Sequence, residues 1–177
     1  IDGTGKLDGV PVKLDWKENF AGDPIRTRYG LKGTFDDASR RQLGIAWLPE
    51  MISGPIGVDL AFQRQRNNFA DPDVTLDLTG ATLTVDKLGW KKPAGTPASA
   101  HLVISARNEM SARINDFTLH GGGLDAHMDL TLTGGETDAK IDHVDLYRLT
   151  VGKTDISGVV SRRAAGGWDV QIRGKNF

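Results

Sequence analysis

Apolar and polar residues alternate along almost the whole of this chain, and that pattern limits its fold more than any other feature. A period of two is the mark of β-strands with one buried face, whereas apolar residues of a helix recur every 3.6 positions. In Val10–Phe20, Val10, Val12, Leu14 and Trp16 point one way and Lys13, Asp15 and Lys17 the other. Ile25–Phe35, Pro55–Gln65, Asp73–Gly80 and Leu83–Val85 continue the pattern. So do Ala98–Ala106, Ser111–His120, Leu124–Thr133, Ala139–Leu149, Thr154–Ser161 and Trp168–Gly174. The phase slips at Asn115–Asp116 and again near His143, which predicts a β-bulge at each place. Gly134-Gly135 and Gly166-Gly167 read as tight turns, and Asn67–Pro72, Lys92–Pro97 and Gly121–Gly123 as longer loops.

One segment departs from this rule. Asp36-Asp37 can cap a short helix over Ala38–Leu43, which Gly44 ends. Such a helix is too short to persist alone, so we expect it to plug one end of the sheet. The fold expected is all-β: an elongated, curved antiparallel sheet of about eleven strands with one short helix, the helical insert spanning about 36–44. With 177 residues and no sharp boundary, 1–177 reads as a single unit. It begins at Ile1 and ends at Phe177 inside strand-like sequence, so we expect a segment of a longer protein.

Composition removes several functions. Without cysteine there is no disulfide, thiolate zinc site or cysteine nucleophile. Lys plus Arg is 22 against 23 Asp plus Glu, a formal net charge of −1. That is a poor balance for nucleic-acid binding, and no nucleic-acid partner is expected. No apolar run of about 18 residues predicts a membrane-spanning helix.

Short motifs that suggest chemistry lack their context. Gly3–Lys6 (GTGK) has no following helix, which a phosphate-binding loop requires, and reads as a turn. His120–Gly123 (HGGG) resembles an esterase oxyanion loop, yet there is no G-x-S-x-G elbow; Ser53 and Ser157 sit in I-S-G contexts of the wrong spacing. His101, His120, His127 and His143 show no metal-focusing spacing and read as solvent-facing, with His101 and His127 on polar strand faces and the other two at turns or bulges. Asp71, Asp73 and Asp77 lack the glycine and terminal glutamate of a calcium loop. Asp125 and Asp129 share a strand face roughly 13 Å apart, beyond the reach of a glycosidase pair. We therefore expect no catalytic residue, no metal and no cofactor.

What remains is the apolar stripe. Its candidate lining is Ile56, Val58, Leu60 and Phe62, then Val74, Leu76 and Leu78, then Leu124, Ala126, Met128, Leu130 and Leu132. The stripe reads either as the filling of a closed sandwich or barrel or as the wall of an open groove, and the pattern does not choose between them. Aliphatic residues dominate it, and the strands are long and serial, which leans toward a groove. A carbohydrate-binding or hydrolytic sandwich is disfavoured, because Trp16 and Trp168 share the apolar face and only Trp47 and Trp90 look loop-like.

Four stretches resemble one family. Leu88–Gly95 (LGWKKPAG), Ser53–Leu60 (SGPIGVDL), Gly166–Gly174 (GGWDVQIRG) and the opening Gly5–Phe20 are similar to segments of AsmA-like proteins of the YhdP type. The resemblance is spread over nearly the whole chain. It implies a periplasmic segment of a cell-envelope protein whose parent chain is anchored in the inner membrane. It also implies a taco-shaped β-sheet with a continuous hydrophobic groove that carries phospholipid acyl chains between inner and outer membranes. The alternative expectation is a non-catalytic structural scaffold domain.

Overall fold

The structure, a computed structural model, describes residues 2–19, 25–45, 50–65, 70–108, 111–134 and 140–175. Phe20, Trp47, Gly135 and Ala139, placed above in strands, a loop and a turn, lie outside them.

The described residues form fourteen strands and one α-helix. In chain order these are β1 (Asp2–Leu7), β2 (Val10–Glu18), β3 (Ile25–Phe35), α1 (Asp37–Gln42), β4 (Ile52–Ser53), β5 (Ile56–Gln65), β6 (Asp73–Asp77) and β7 (Thr82–Val85). After a 3-10 turn at Asp86–Leu88 come β8 (Trp90–Lys92), β9 (Ala98–Asn108), β10 (Ser111–Gly121) and β11 (Leu124–Thr133). The chain closes with β12 (Lys140–Val151), β13 (Thr154–Arg162) and β14 (Trp168–Lys175).

Eleven of these strands make one antiparallel sheet in the order β1-β2-β3-β5-β6-β9-β10-β11-β12-β13-β14. The expected all-β antiparallel fold with one short helix is what the chain adopts. Because every neighbour runs antiparallel and all pairing follows chain order, one end of the sheet collects the β1–β2, β10–β11 and β12–β13 turns and the two long excursions, 36–55 and 78–97. Those excursions build the cap. In it β4, β7 and β8 form a small separate sheet, and α1 sits beside it.

Three expectations need correction. Leu83–Val85 joins the cap rather than the long sheet, because its partners are β4 and β8. The glycine-rich Asp2–Leu7, which carries no alternation, is an edge strand: pairing with β2 rather than side-chain burial orders it. Trp90 is no loop residue. It lies buried on β8, and its indole Nε1 donates to the Gly122 carbonyl at 2.9 Å. That bond explains the HGGG stretch. Gly122 and Gly123 hold φ of 62° and 78° in the β10–β11 turn, and a Cβ on Gly122 would meet Lys92 Cγ at 2.7 Å.

The helix matches its sequence signal. Asp36 caps it by accepting from the Ser39 N–H at 2.8 Å, and this bond with the Ser39 hydroxyl holds the Asp36 carboxyl below its ordinary pKa. Gly44 follows in the left-handed region at φ 70°. Both phase slips are bulges: the β10 register breaks between Ile114 and Phe117, and β12 breaks between Ile141 and His143.

Two buried cations pin the cap. The Arg40 guanidinium donates to the carbonyls of Gly54 (2.7 Å), Phe35 (3.1 Å) and Ile52 (3.4 Å) and pairs with Asp37. Asp37 in turn accepts from the Gly54 N–H at 3.1 Å. The second cation, Lys92, is fully buried at 0% exposure. Its ammonium donates to the carbonyls of Ala81 (2.7 Å), Thr96 (3.0 Å) and Pro93 (3.1 Å), one for each of its three protons. Burial pushes its pKa down, and the Asp77 carboxylate partly opposes this. Lys92→Met keeps the apolar stem but leaves three carbonyls without their donor. We expect it to lower unfolding stability in urea by about 3 kcal/mol; an unchanged midpoint would show that the ammonium does not hold the cap.

Candidate functional site

The strand register puts every predicted lining residue that lies in a strand on the same, inner face of the long sheet, and Leu78, just past β6, joins the same apolar cluster. Val58 opposes Leu76, Leu60 opposes Val74, and Leu130 and Leu132 oppose Ile114 and Ala112. All except Phe62 belong to two contiguous apolar clusters. The larger cluster joins the sheet to the cap through Phe35, Leu43, Ile52, Leu83, Val85 and Trp90. It also takes in Val10, Val12, Leu146, Leu149 and Ile156 of the flanking strands, which the sequence pattern places on strands but which the predicted lining omits.

Burial falls with distance from the cap. On β11, Leu124 and Ala126 are buried and Met128, Leu130 and Leu132 only half-buried. On β5, Ile56 is buried while Val58, Leu60 and Phe62 are half-buried. On β2, Val10 and Val12 are buried, but Leu14 is 47% and Trp16 43% exposed. At the opposite flank, Trp168, Val170 and Ile172 of β14 share the inner face through Arg162, Val160 and Gly158, and all three are exposed. In the middle, Val74, Leu102 and Ile114 are buried by side chains of the long sheet itself, from β5, β6 and β9 to β11. The inner face is thus plugged at one end, self-covered at its centre and bare toward the other end and the flanks.

Over β2, β3 and β5 this face is layered. Leu14, Leu31 and Leu60 form an aliphatic row across the strands. The next row out is Trp16, Tyr29 and Phe62, stacked with centroids 6.3 and 4.7 Å apart and planes inclined by 18°. The last row is polar: Glu18, Thr27 and Arg64.

The outer face carries most of the charge. The four histidines are solvent-facing, as expected, and each also meets a carboxylate. His101 contacts Asp73 at 3.1 Å, His127 contacts Asp116 at 3.0 Å, His120 contacts Asp125 at 2.7 Å and His143 contacts Asp145 at 3.0 Å. Alternation put His101 and His127 on polar faces, but only the register and the bulge bring each imidazole to a carboxylate. Asp116 occupies the bulge at φ 51°, and its N–H donates to Asp129 at 2.9 Å. Arg113 donates to the same carboxylate at 2.8 Å. Among the described residues no group of His, Asp and Glu is arranged to hold a metal.

His143 also meets the Ser161 hydroxyl at 3.0 Å, so Ser161, His143 and Asp145 have the connectivity of a catalytic triad. The location denies it the rest of the chemistry. The hydroxyl stands perpendicular to a sheet whose N–H groups lie in the ladder plane, so they do not converge on an oxyanion above it. A shallow concavity of ≈ 570 Å³ opens on this same polar side near Lys13, Lys32 and Asp59. Of the predicted lining only Val58 reaches it.

Burial raises the pKa of Asp129, but bonds from Arg113, the Asp116 N–H and the Tyr147 hydroxyl outweigh it and leave the carboxyl below its ordinary value. A depressed carboxylate stabilises the fold fully above the unfolded pKa, and the contribution drains away as pH falls through the folded one. Asp129→Asn should therefore cost about 1.5 kcal/mol near neutrality, and the gap to wild type should narrow below about pH 4 in urea melts recorded against pH. Comparison of the chain with family models, curated proteins and solved structures finds no match.

Proposed function

We propose that the chain binds lipid acyl chains along the inner face of its long sheet and serves as a segment of a lipid-conducting groove. The observation that carries this reading is the bare aliphatic face: an open sheet, capped at one end, whose inward residues stay half-buried or exposed away from the cap. Exposed apolar area of this kind marks a binding surface or an aggregation hazard, and a polar outer face rich in paired charge favours the former. Each methylene withdrawn from water contributes about 0.8 kcal/mol. Aliphatic rows offer that gain without fixing a position, so a chain can slide.

The resemblance to AsmA-like proteins of the YhdP type supplies the setting of the proposal: a periplasmic segment of an inner-membrane-anchored envelope protein that passes phospholipid between the two membranes. No cofactor and no catalytic group enters it. Among the described residues no helix is long and apolar enough to cross a membrane.

One observation favours a second reading, a non-catalytic structural domain. Val74, Leu102 and Ile114 are already covered by neighbouring side chains, as the core of a closed domain would be.

Native mass spectrometry of the chain purified from bacterial cells without detergent, followed by lipid extraction, separates the two. We expect phospholipid at defined stoichiometry in the wild type, loss of it in Leu130→Asp on the inner face, and retention in Thr131→Asp on the outer face. A clean protein mass from a folded sample supports the structural domain instead, and equal effects of the two substitutions refute the assignment of faces.

A further inference from the structure

The long sheet ends in two edge strands, β1 and β14, and they differ in what they offer a neighbour. An edge strand presents a row of unpaired N–H and C=O groups, which proteins blunt with proline, bulges, inward charges or brevity. β1 is six residues long, and its inner row opposite Val12 and Leu14 is Gly5 and Gly3, so a new strand would find little to pack against. β14 is eight residues long, pairs with β13 in unbroken register and contains no proline. Its inward residues Trp168, Val170 and Ile172 are apolar and exposed, and its outward ones include Asp169, Gln171 and Arg173. Among the described residues no strand lies on its far side.

We propose that this edge pairs with the same edge of a second copy of the chain, antiparallel and about a two-fold axis at Gln171. The strand is complementary to itself in that register. Asp169 of each copy faces Arg173 of the other, so the contact occurs twice. Val170 faces Ile172, and the Trp168 ring covers Gly174. Arg163 already donates to Asp169 at 2.6 Å, but it takes only Oδ1, and a carboxylate has about four acceptor sites. Arg173 stands opposite Ser157, and among the described residues no carboxylate of its own chain pairs with it. A slip of one residue would set apolar side chains against polar ones. A slip of two loses the match. In one direction Asp169 meets Gln171; in the other Trp168 passes beyond Gly174, and Asp169 turns to Lys175, which already stands opposite Asp155. Direction disfavours β1 as the partner. The eleven strands alternate, so β1 and β14 run the same way, and a copy added in the same orientation would meet β14 with a parallel strand. The two-fold axis stands perpendicular to the sheet, so the two inner faces join on one side and the two caps lie at opposite ends. The pairing does not require that the inner face carry lipid.

Sedimentation velocity of the 177-residue chain over a range of concentrations is the test. We expect a monomer–dimer equilibrium with a dissociation constant of about 10 μM, at the weak end for specific interfaces. Asp169→Arg and Arg173→Asp should each raise it about a hundredfold, since each turns two ion pairs into two like-charge contacts. The two single variants mixed in equal amounts should form a heterodimer as tight as the wild-type dimer, because each then supplies the charges the other lacks. The double variant Asp169→Arg/Arg173→Asp should recover the homodimer. Circular dichroism checks that each variant is folded, and where a single variant is not, the double exchange decides alone. A wild type that stays monomeric throughout would overturn the proposal. So would a dimer that both single variants keep, which places association elsewhere, or one that neither mixing nor the double exchange restores.

Discussion

A sheet with one aliphatic face must find something to bury it against. Removal of apolar surface from water is the main favourable term in folding, and a sheet ordinarily obtains it from a second layer of helices or strands. Here the sheet is eleven strands wide, and the second layer is a six-residue helix with three short strands. That mismatch governs the rest of the structure. The cap buries the face where it reaches, the central strands bury one another's side chains, and the flanks stay bare.

The cap works only because its irregular backbone is satisfied. Loops packed over an apolar surface bring carbonyl groups away from water, and an unmet buried carbonyl is costly. Arg40 and Lys92 solve this with cations in place of further secondary structure. Each gathers carbonyls from separate stretches, residues 35, 52 and 54 for Arg40 and residues 81, 93 and 96 for Lys92. The two cations differ in their balance. Arg40 has the Asp37 carboxylate beside it, whereas Lys92 donates all three protons to neutral carbonyls, and its burial lowers its pKa.

The two faces divide the labour. On the outer one, imidazoles and Arg113 tie carboxylates of neighbouring strands together, and the β10 bulge is held by the Asp129 carboxylate from β11. These contacts keep a wide sheet wetted and in register from its solvent side. The inner face, by contrast, confines its charge to the ends of flanking strands. Glu18 and Arg64 stand at one flank, and Arg162 lies over the Trp168 ring at the other.

Much of this was legible in the sequence for a local reason. Strand side chains alternate with a period of two whatever lies around them, so Ile56, Leu60 and Leu130 declare the apolar face of their strands without reference to any partner. The helix announced itself through Asp36 and Gly44, and the bulges through slips of phase, which are equally local. The tertiary structure decided what no local pattern carries. Asp2–Leu7 is a strand only because β2 pairs with it, and β4 and β8 are too short to show a period. Lys92 reads in sequence as one more surface lysine beside Lys91. It is buried because carbonyls from separate parts of the cap converge on it, and convergence belongs to the fold. The pairing of His101 with Asp73 and of His127 with Asp116, and the row that sets Glu18 beside Thr27 and Arg64, have the same origin: register joins residues that sequence separation keeps apart.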